Sequence, residues 1–196
     1  MKENIEKQIR ETIDRHKQML AEFEAGSFEI IANIAEMISS SIKDGGCIYI
    51  CGNGGSAADA QHIAGELIGR FERERKALPV VALTTDTSVI TSISNDYSFD
   101  NIFTRQVEAL VKKNDILWAI STSGSSANVL AAVKIAKQKN AKILAFTGRA
   151  DSELEKTADI CFCADDRSTA RCQEIHQIAY HIICEIVEQN FYNQQE

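Results

Sequence analysis

The chain has 196 residues, 44% of them hydrophobic, which is enough for one well-formed core and too little for a second full domain. Its 21 Lys and Arg against 28 Asp and Glu give a formal charge of −7, and the cations are scattered, which argues against a nucleic-acid backbone as partner. The charged N-terminus "MKENIEKQIRETIDRHKQML" lacks the apolar centre of a secretion signal and no run of about 18 apolar residues occurs, so a cytoplasmic protein without membrane contact is expected.

In chain order, residues 1–45 read as two helices. Ile5, Ile9 and Ile13, then Ile30, Ile31, Ile34, Met37 and Ile38, recur at helical spacing. Five apolar, β-rich runs follow: "CIYICG", "LPVVALTT", "DILWAISTSG", "AKILAFTG" and "ADICFCA". Each is bounded by Gly, Asp or Ser, and segments of helical periodicity separate them. That alternation predicts five parallel strands with helical crossovers. Hydrophobicity that is continuous along each run predicts a sheet covered on both faces, hence a three-layer α/β sandwich. The last segment, "STARCQEIHQIAYHIICEIVEQNF", is a long helix with an unbroken apolar stripe. Long helices at both ends exceed what one small sheet needs for cover, and a homo-oligomer is expected. Cys47, Cys51, Cys161, Cys163, Cys172 and Cys184 sit mostly in apolar runs without a CxxC pair and read as reduced core thiols.

Open parallel sheets bind ligands beyond the carboxyl ends of their strands, and two of those loops are unusually polar. "GNGGS", residues 52–56, lets backbone N–H groups approach an anion, with Ser56 expected to cap the helix that follows. It is neither GxGxxG nor a lysine-bearing phosphate loop, so nucleotide binding has little support. "STSGSSANV", Ser121 to Val129, offers five hydroxyls at another helix start and suits the phosphate of a small metabolite. Within the first of these helices, His62 and Glu66 lie four residues apart, on one face, where they can share a metal or a proton transfer. The C-terminal helix carries Gln173, His176 and His181 among Ile, Ala and Cys; a histidine in such a stripe is ordinarily a satisfied core residue, the reading adopted for His176.

"CGNGGSAADAQHIAGEL", "SNDYSFDNIF", "ISTSGSSANV" and "TARCQEIHQIAYH", in this order, resemble the SIS (sugar isomerase) family, and within it the sedoheptulose 7-phosphate isomerases, over nearly the whole chain. The resemblance implies a single SIS domain across 1–196, with residues 1–45 packing in a homotetramer whose sites lie at subunit contacts. It implies conversion of D-sedoheptulose 7-phosphate into D-glycero-D-manno-heptose 7-phosphate for surface-polysaccharide heptose. By position, Asn53, Gly54, Gly55, Ser56, Glu66, Asn95, Asp96, Ser121, Thr122, Ser123, Ser126 and Gln173 match the family's substrate-binding motifs. Glu66 and His181 match its acid/base pair, and His62, Glu66, Gln173 and His181 match its zinc ligands.

The chemistry agrees with that set. Aldose–ketose interconversion moves a proton between two carbons through an enediol; Glu66 suits the base, His181 the acid, and a zinc ion would polarise the carbonyl. Gln173 and His181 are eight residues apart, about 12 Å along a regular helix and roughly 80° around it. They meet one ion only by leaning together or by coming from different chains. Where some relatives have a tyrosine and an aspartate upstream of the glutamine, this chain has Ser168 and Ala170, with Asp166 and Arg167 nearby as substitutes. Two rivals stand beside this reading: an isomerase of another sugar phosphate, and a non-catalytic SIS protein that binds the replication initiator. The presence of His62, Glu66, Gln173 and His181 together favours the enzyme.

Overall fold

All five apolar runs are strands of one parallel sheet. The computed structural model describes residues 2–192. Two helices, α1 (Lys2–Gly26) and α2 (Phe28–Lys43), precede β1 (Ile48–Gly52), α3 (Gly55–Ile68) and β2 (Val80–Ala82). Then come α4 (Thr87–Asp96), a 3-10 turn at Phe99–Asn101, α5 (Thr104–Leu110), β3 (Ile116–Ser121), α6 (Ala127–Gln138) and β4 (Lys142–Thr147). The chain continues through α7 (Glu153–Thr157) and β5 (Ile160–Cys163) into α8 (Thr169–Tyr192).

The strand order is β2-β1-β3-β4-β5, and every pairing is parallel. All six residues of β3 are buried, because its side chains alternate between two separate cores. Ile116, Trp118 and Ile120 face α2, α3 and α8, whereas Leu117 and Ala119 face the side of α4 to α7. The continuous apolar runs thus follow from burial on both faces, as expected. Most of α1 behaves differently. Only Met19 and Phe23 are buried, and Ile5, Ile9 and Ile13 are about half exposed although they share one helical face.

The connection after β1 leads to one edge of the sheet, and the one after β3 leads toward the other. β1 and β3 are neighbours, so the strand order reverses between them and their C-terminal loops open a crevice at that switch point.

Candidate active site

Both polar loops sit at that crevice, one ending β1 and one ending β3. Gly54 has φ +56°, a left-handed conformation that a side chain would strain, and it is the N-cap of α3. No side chain caps this helix. Ser56, expected as its cap, lies instead inside the first turn and is 3% exposed, because the reversal at Gly54 begins the helix one residue before it. Gly55 is needed for a different reason: a Cβ there would overlap the Gln173 amide, which leans over the loop from α8.

The two loops are tied to each other. Asn53 Nδ2 donates to Asn128 Oδ1 at 2.8 Å and Asn128 Nδ2 donates back to Asn53 Oδ1 at 2.9 Å, a reciprocal amide pair. Asn128 Oδ1 also accepts from the Val129 N–H at 2.9 Å, which fixes it at the start of α6. In the second loop the Ser121 hydroxyl lies 2.9 Å from that of Ser126 and 3.3 Å from that of Ser123. The Thr122 carbonyl accepts the Gly148 N–H at 3.0 Å, which ties this loop to the end of β4. Neutral hydroxyls grouped in this way at a helix start are suited to a phosphate's oxygens.

Helices α3 and α8 lie side by side and run in the same direction. Gln173 stands over Gly55, His181 meets His62 and Glu66 further along, and Glu188 reaches the segment that leaves α3. This settles the alternative left open by the spacing for His181: within one chain it meets the His62–Glu66 pair. His62 Nε2 is 3.0 Å from Glu66 Oε1 and 3.4 Å from His181 Nε2, and one donor atom from each of the three residues falls within 4.8 Å of the others. Two imidazole nitrogens and a carboxylate facing one another repel unless a cation or proton sits between them. Three protein ligands with a remaining open position are the pattern of catalytic zinc sites, so the donor set fits a divalent cation. The fourth expected ligand, Gln173, is placed two turns back along α8, at the glycine loop.

Other expected residues are placed elsewhere. Asn95 and Asp96 sit exposed at the end of α4, hydrogen-bonded to each other at 2.8 Å, with Asp96 on the rim of a cavity of about 490 Å³ that also includes Tyr97 and Arg105. Asp166 is held by Arg15 from α1 and accepts the Ser168 N–H, so it is committed to structure. His176 is fully buried, with Nε2 2.8 Å from the Thr147 carbonyl oxygen; burial pushes its pKa down to about 4 although the hydrogen bond opposes this.

Electrostatics at the cluster are those of a half-buried, mixed-charge site. Burial and the neighbouring His62 hold His181 below the usual imidazole range, against the pull of Glu66. Burial pushes the Asp59 carboxyl up to about 6, opposed by the nearby His62 and Tyr180, and its Oδ2 is buried without a hydrogen-bond partner. Tyr180, Asp59 and Asn128 escaped the sequence reading. Tyr180 looked like one more apolar residue of the stripe, and Asn128 like an ordinary residue of a helix start; only the polar spacing of Asp59 three residues before His62 hinted at a further acid on that face.

A family model described as the SIS domain matches residues 13–148. A phosphoheptose isomerase of Roseiflexus sp. is 48% identical over 165 residues, covering 84% of each chain. One of Thermodesulfovibrio yellowstonii is 44% identical over 184 residues, covering 94% of this chain and 92% of that one. The solved structure of phosphoheptose isomerase GmhA from Neisseria gonorrhoeae superposes with a TM-score of 0.89 at 38% identity, over 94% of this chain and 99% of that one. By sequence and by fold, the chain belongs to the SIS-domain family, among the phosphoheptose isomerases.

Proposed function

We propose that this isomerase converts D-sedoheptulose 7-phosphate into D-glycero-D-manno-heptose 7-phosphate, with Glu66 and His181 moving the protons. The observation that carries the reading is the convergence of His62, Glu66 and His181 along the helix that starts at the glycine loop, with His62 about 10 Å from that start. Ser121, Thr122, Ser123 and Ser126 hold the substrate's phosphate as neutral donors, and Asn53, Gly54, Gly55 and Ser56 line the adjoining sugar path. Glu66, with one oxygen 3.0 Å from His62 Nε2, takes a proton from the carbon next to the carbonyl and returns it to the neighbouring carbon. His181 passes a proton between the two substrate oxygens; burial and the neighbouring His62 bias it toward the uncharged imidazole, which can both give and accept. A zinc ion held by His62, Glu66 and His181, with Gln173 as the outlying member, would polarise the substrate carbonyl.

The stripe of Ile5, Ile9 and Ile13, left about half exposed on α1, supports a homotetramer in which a second copy covers it. Asn95 and Asp96 would then belong to a site completed at a subunit contact. Sedimentation at micromolar concentration tests this: four chains are expected, and a monomer would overturn it.

The activity test is to incubate the metal-characterised protein with sedoheptulose 7-phosphate and follow the aldose by NMR. Product that is lost with chelator and restored by zinc is expected, and Glu66→Gln is expected to lower kcat by about 10²- to 10⁴-fold in a folded protein. Product indifferent to chelator would remove the metal from the reading, and full turnover by Glu66→Gln would remove the base.

A further inference from the structure

The amide pair that joins the two loops has only one consistent orientation. Taken alone, Asn53 and Asn128 would be equally satisfied if both amides were turned over, nitrogen for oxygen. The Val129 N–H decides between the two arrangements. At 2.9 Å from the Asn128 amide it requires an acceptor, so Oδ1 faces it, and the Asn53 atom that meets the same oxygen at 2.8 Å is the nitrogen. The return bond, from Asn128 Nδ2 to Asn53 Oδ1 at 2.9 Å, follows from that choice. The backbone of Asn53 is held as well, its carbonyl accepting the Ser56 N–H at 3.0 Å in the first turn of α3.

The two partners differ in what they have left to offer. Asn128 is 2% exposed and its Oδ1 already accepts two hydrogens, so it has no face to turn to a ligand. Asn53 is only partly buried, and of the two hydrogens on its amide nitrogen the pair uses one. The other is left for a ligand oxygen. β1 and β3 are paired as far as Gly52 and Ile120, and beyond the sheet the amide pair joins the loop after β1 to the helix after β3. We infer that Asn128 is a positioning residue for substrate binding: it fixes which atoms Asn53 presents and keeps the glycine loop at a set distance from the serine loop. A sugar phosphate, held at its two ends by the two loops, depends on that distance. Inorganic phosphate, held by the serine loop alone, does not.

The inference rests on the proposed function in taking one loop as the sugar path and the other as the phosphate site, and the test keeps the two apart. In ligand-free protein labelled with 15N-asparagine, the Asn53 side-chain amide is identified by NMR from its loss in Asn53→Ala. One of its hydrogens is expected downfield of the free-amide position in the wild type, and back at that position in Asn128→Ala. With sedoheptulose 7-phosphate, each single variant is expected to raise KM about tenfold with kcat little changed, roughly the net worth of one hydrogen bond. Inhibition by inorganic phosphate is expected to be little changed. Because Asn128 acts through Asn53, the double variant is expected to stay within about twofold of Asn53→Ala alone. A double variant about a hundredfold worse than wild type, the product of the single effects, would make Asn128 an independent structural residue and overturn the inference. A free-amide signal for Asn53 in the wild type, or inorganic phosphate weakened as much as the substrate in Asn128→Ala, would overturn it too. Asn128→Asp keeps an oxygen for the Val129 N–H but cannot donate to Asn53 Oδ1, and repeats the amide and KM measurements with the start of α6 intact. Should the wild type not turn over sedoheptulose 7-phosphate, the proposed substrate fails, while the Asn53 amide in the ligand-free wild type still decides whether Asn128 holds it; that measurement needs no Asn128 variant to fold.

Discussion

Replacing Glu188 by glutamine removes one charge from the place where α8 grips the segment leaving α3. Its carboxylate is 2% exposed; Oε1 accepts the Phe71 N–H at 2.8 Å, and Oε2 accepts those of Glu72 and Arg73, each at 2.8 Å. Arg75, wholly buried, sets its Nε 3.4 Å from Oε1 and spends its other nitrogens on the carbonyls of Glu66, Leu67, Gly69 and Lys76. Burial by itself would raise the Glu188 pKa, but the three N–H groups and the guanidinium outweigh it and hold the carboxyl below its usual range. A glutamine can turn its oxygen to one pair of donors only, so its NH2 group must face a backbone N–H, and the Arg75 charge is left unmatched in the interior. Breaking a buried pair from one side costs about 3–5 kcal/mol. For 196 residues at about 2.1 cal/mol/K each, the unfolding entropy is about 0.4 kcal/mol/K, so Tm should fall by about 7–12 °C. Calorimetry measures the shift, and limited trypsin digestion reads the segment itself, where Arg70, Arg73 and Lys76 should be cut faster. A Tm within about 2 °C of wild type, with unchanged cleavage, would refute the assignment of this carboxylate as the clamp.

Gly55→Ala places a Cβ where the Gln173 amide lies. A flexible side-chain end can move aside, so Tm should change by only a few degrees while kcat/KM falls by more than about tenfold, that is, by over 1.4 kcal/mol of transition-state stabilisation; unchanged kcat/KM would show that Gln173 has no part in turnover. His176 predicts a pH dependence: its folded pKa of about 4 lies below the ordinary 6.5, so between those values the unfolded chain binds the extra proton and stability falls as pH falls. At about 1.4 kcal/mol per pH unit the loss reaches about 3 kcal/mol near pH 4. Comparing Tm against pH for the wild type and His176→Gln, whose amide can still donate to the Thr147 carbonyl, should show a shallower acid limb in the variant; parallel curves would refute the assignment.

The strands were legible because a parallel sheet buried on both faces leaves no polar residue to interrupt β3 or β4. Both ligand loops were legible too, since a glycine or serine cluster directly after such a run leaves backbone N–H groups and hydroxyls open at the carboxyl end of a buried strand. The pairing of His62 with Glu66 followed from helix periodicity, but the arrival of His181 did not, because it depends on α8 docking parallel to α3 at a separation of 119 positions in sequence. The same distance in sequence hid the clamp. "RFERERK" reads as a solvated charge run, and nothing local distinguishes the fully buried Arg75 from the exposed Arg70 and Arg73. Likewise Ile5, Ile9 and Ile13 announced a helix and its apolar side, while what covers that side is a matter of assembly.

The parallel seating of α8 on α3 has a consequence for the order of events during synthesis. Every strand and both ligand loops leave the ribosome before α8 does, so the crevice can take shape early while its third donor, His181, is still to come. A chain stopped short of α8 would carry the His62–Glu66 pair alone, with the face of α3 that α8 covers turned to water. The finished helix therefore completes the reactive cluster and buries that sticky surface in one docking event, and a nascent chain acquires its chemistry only when it has also lost its strongest reason to aggregate.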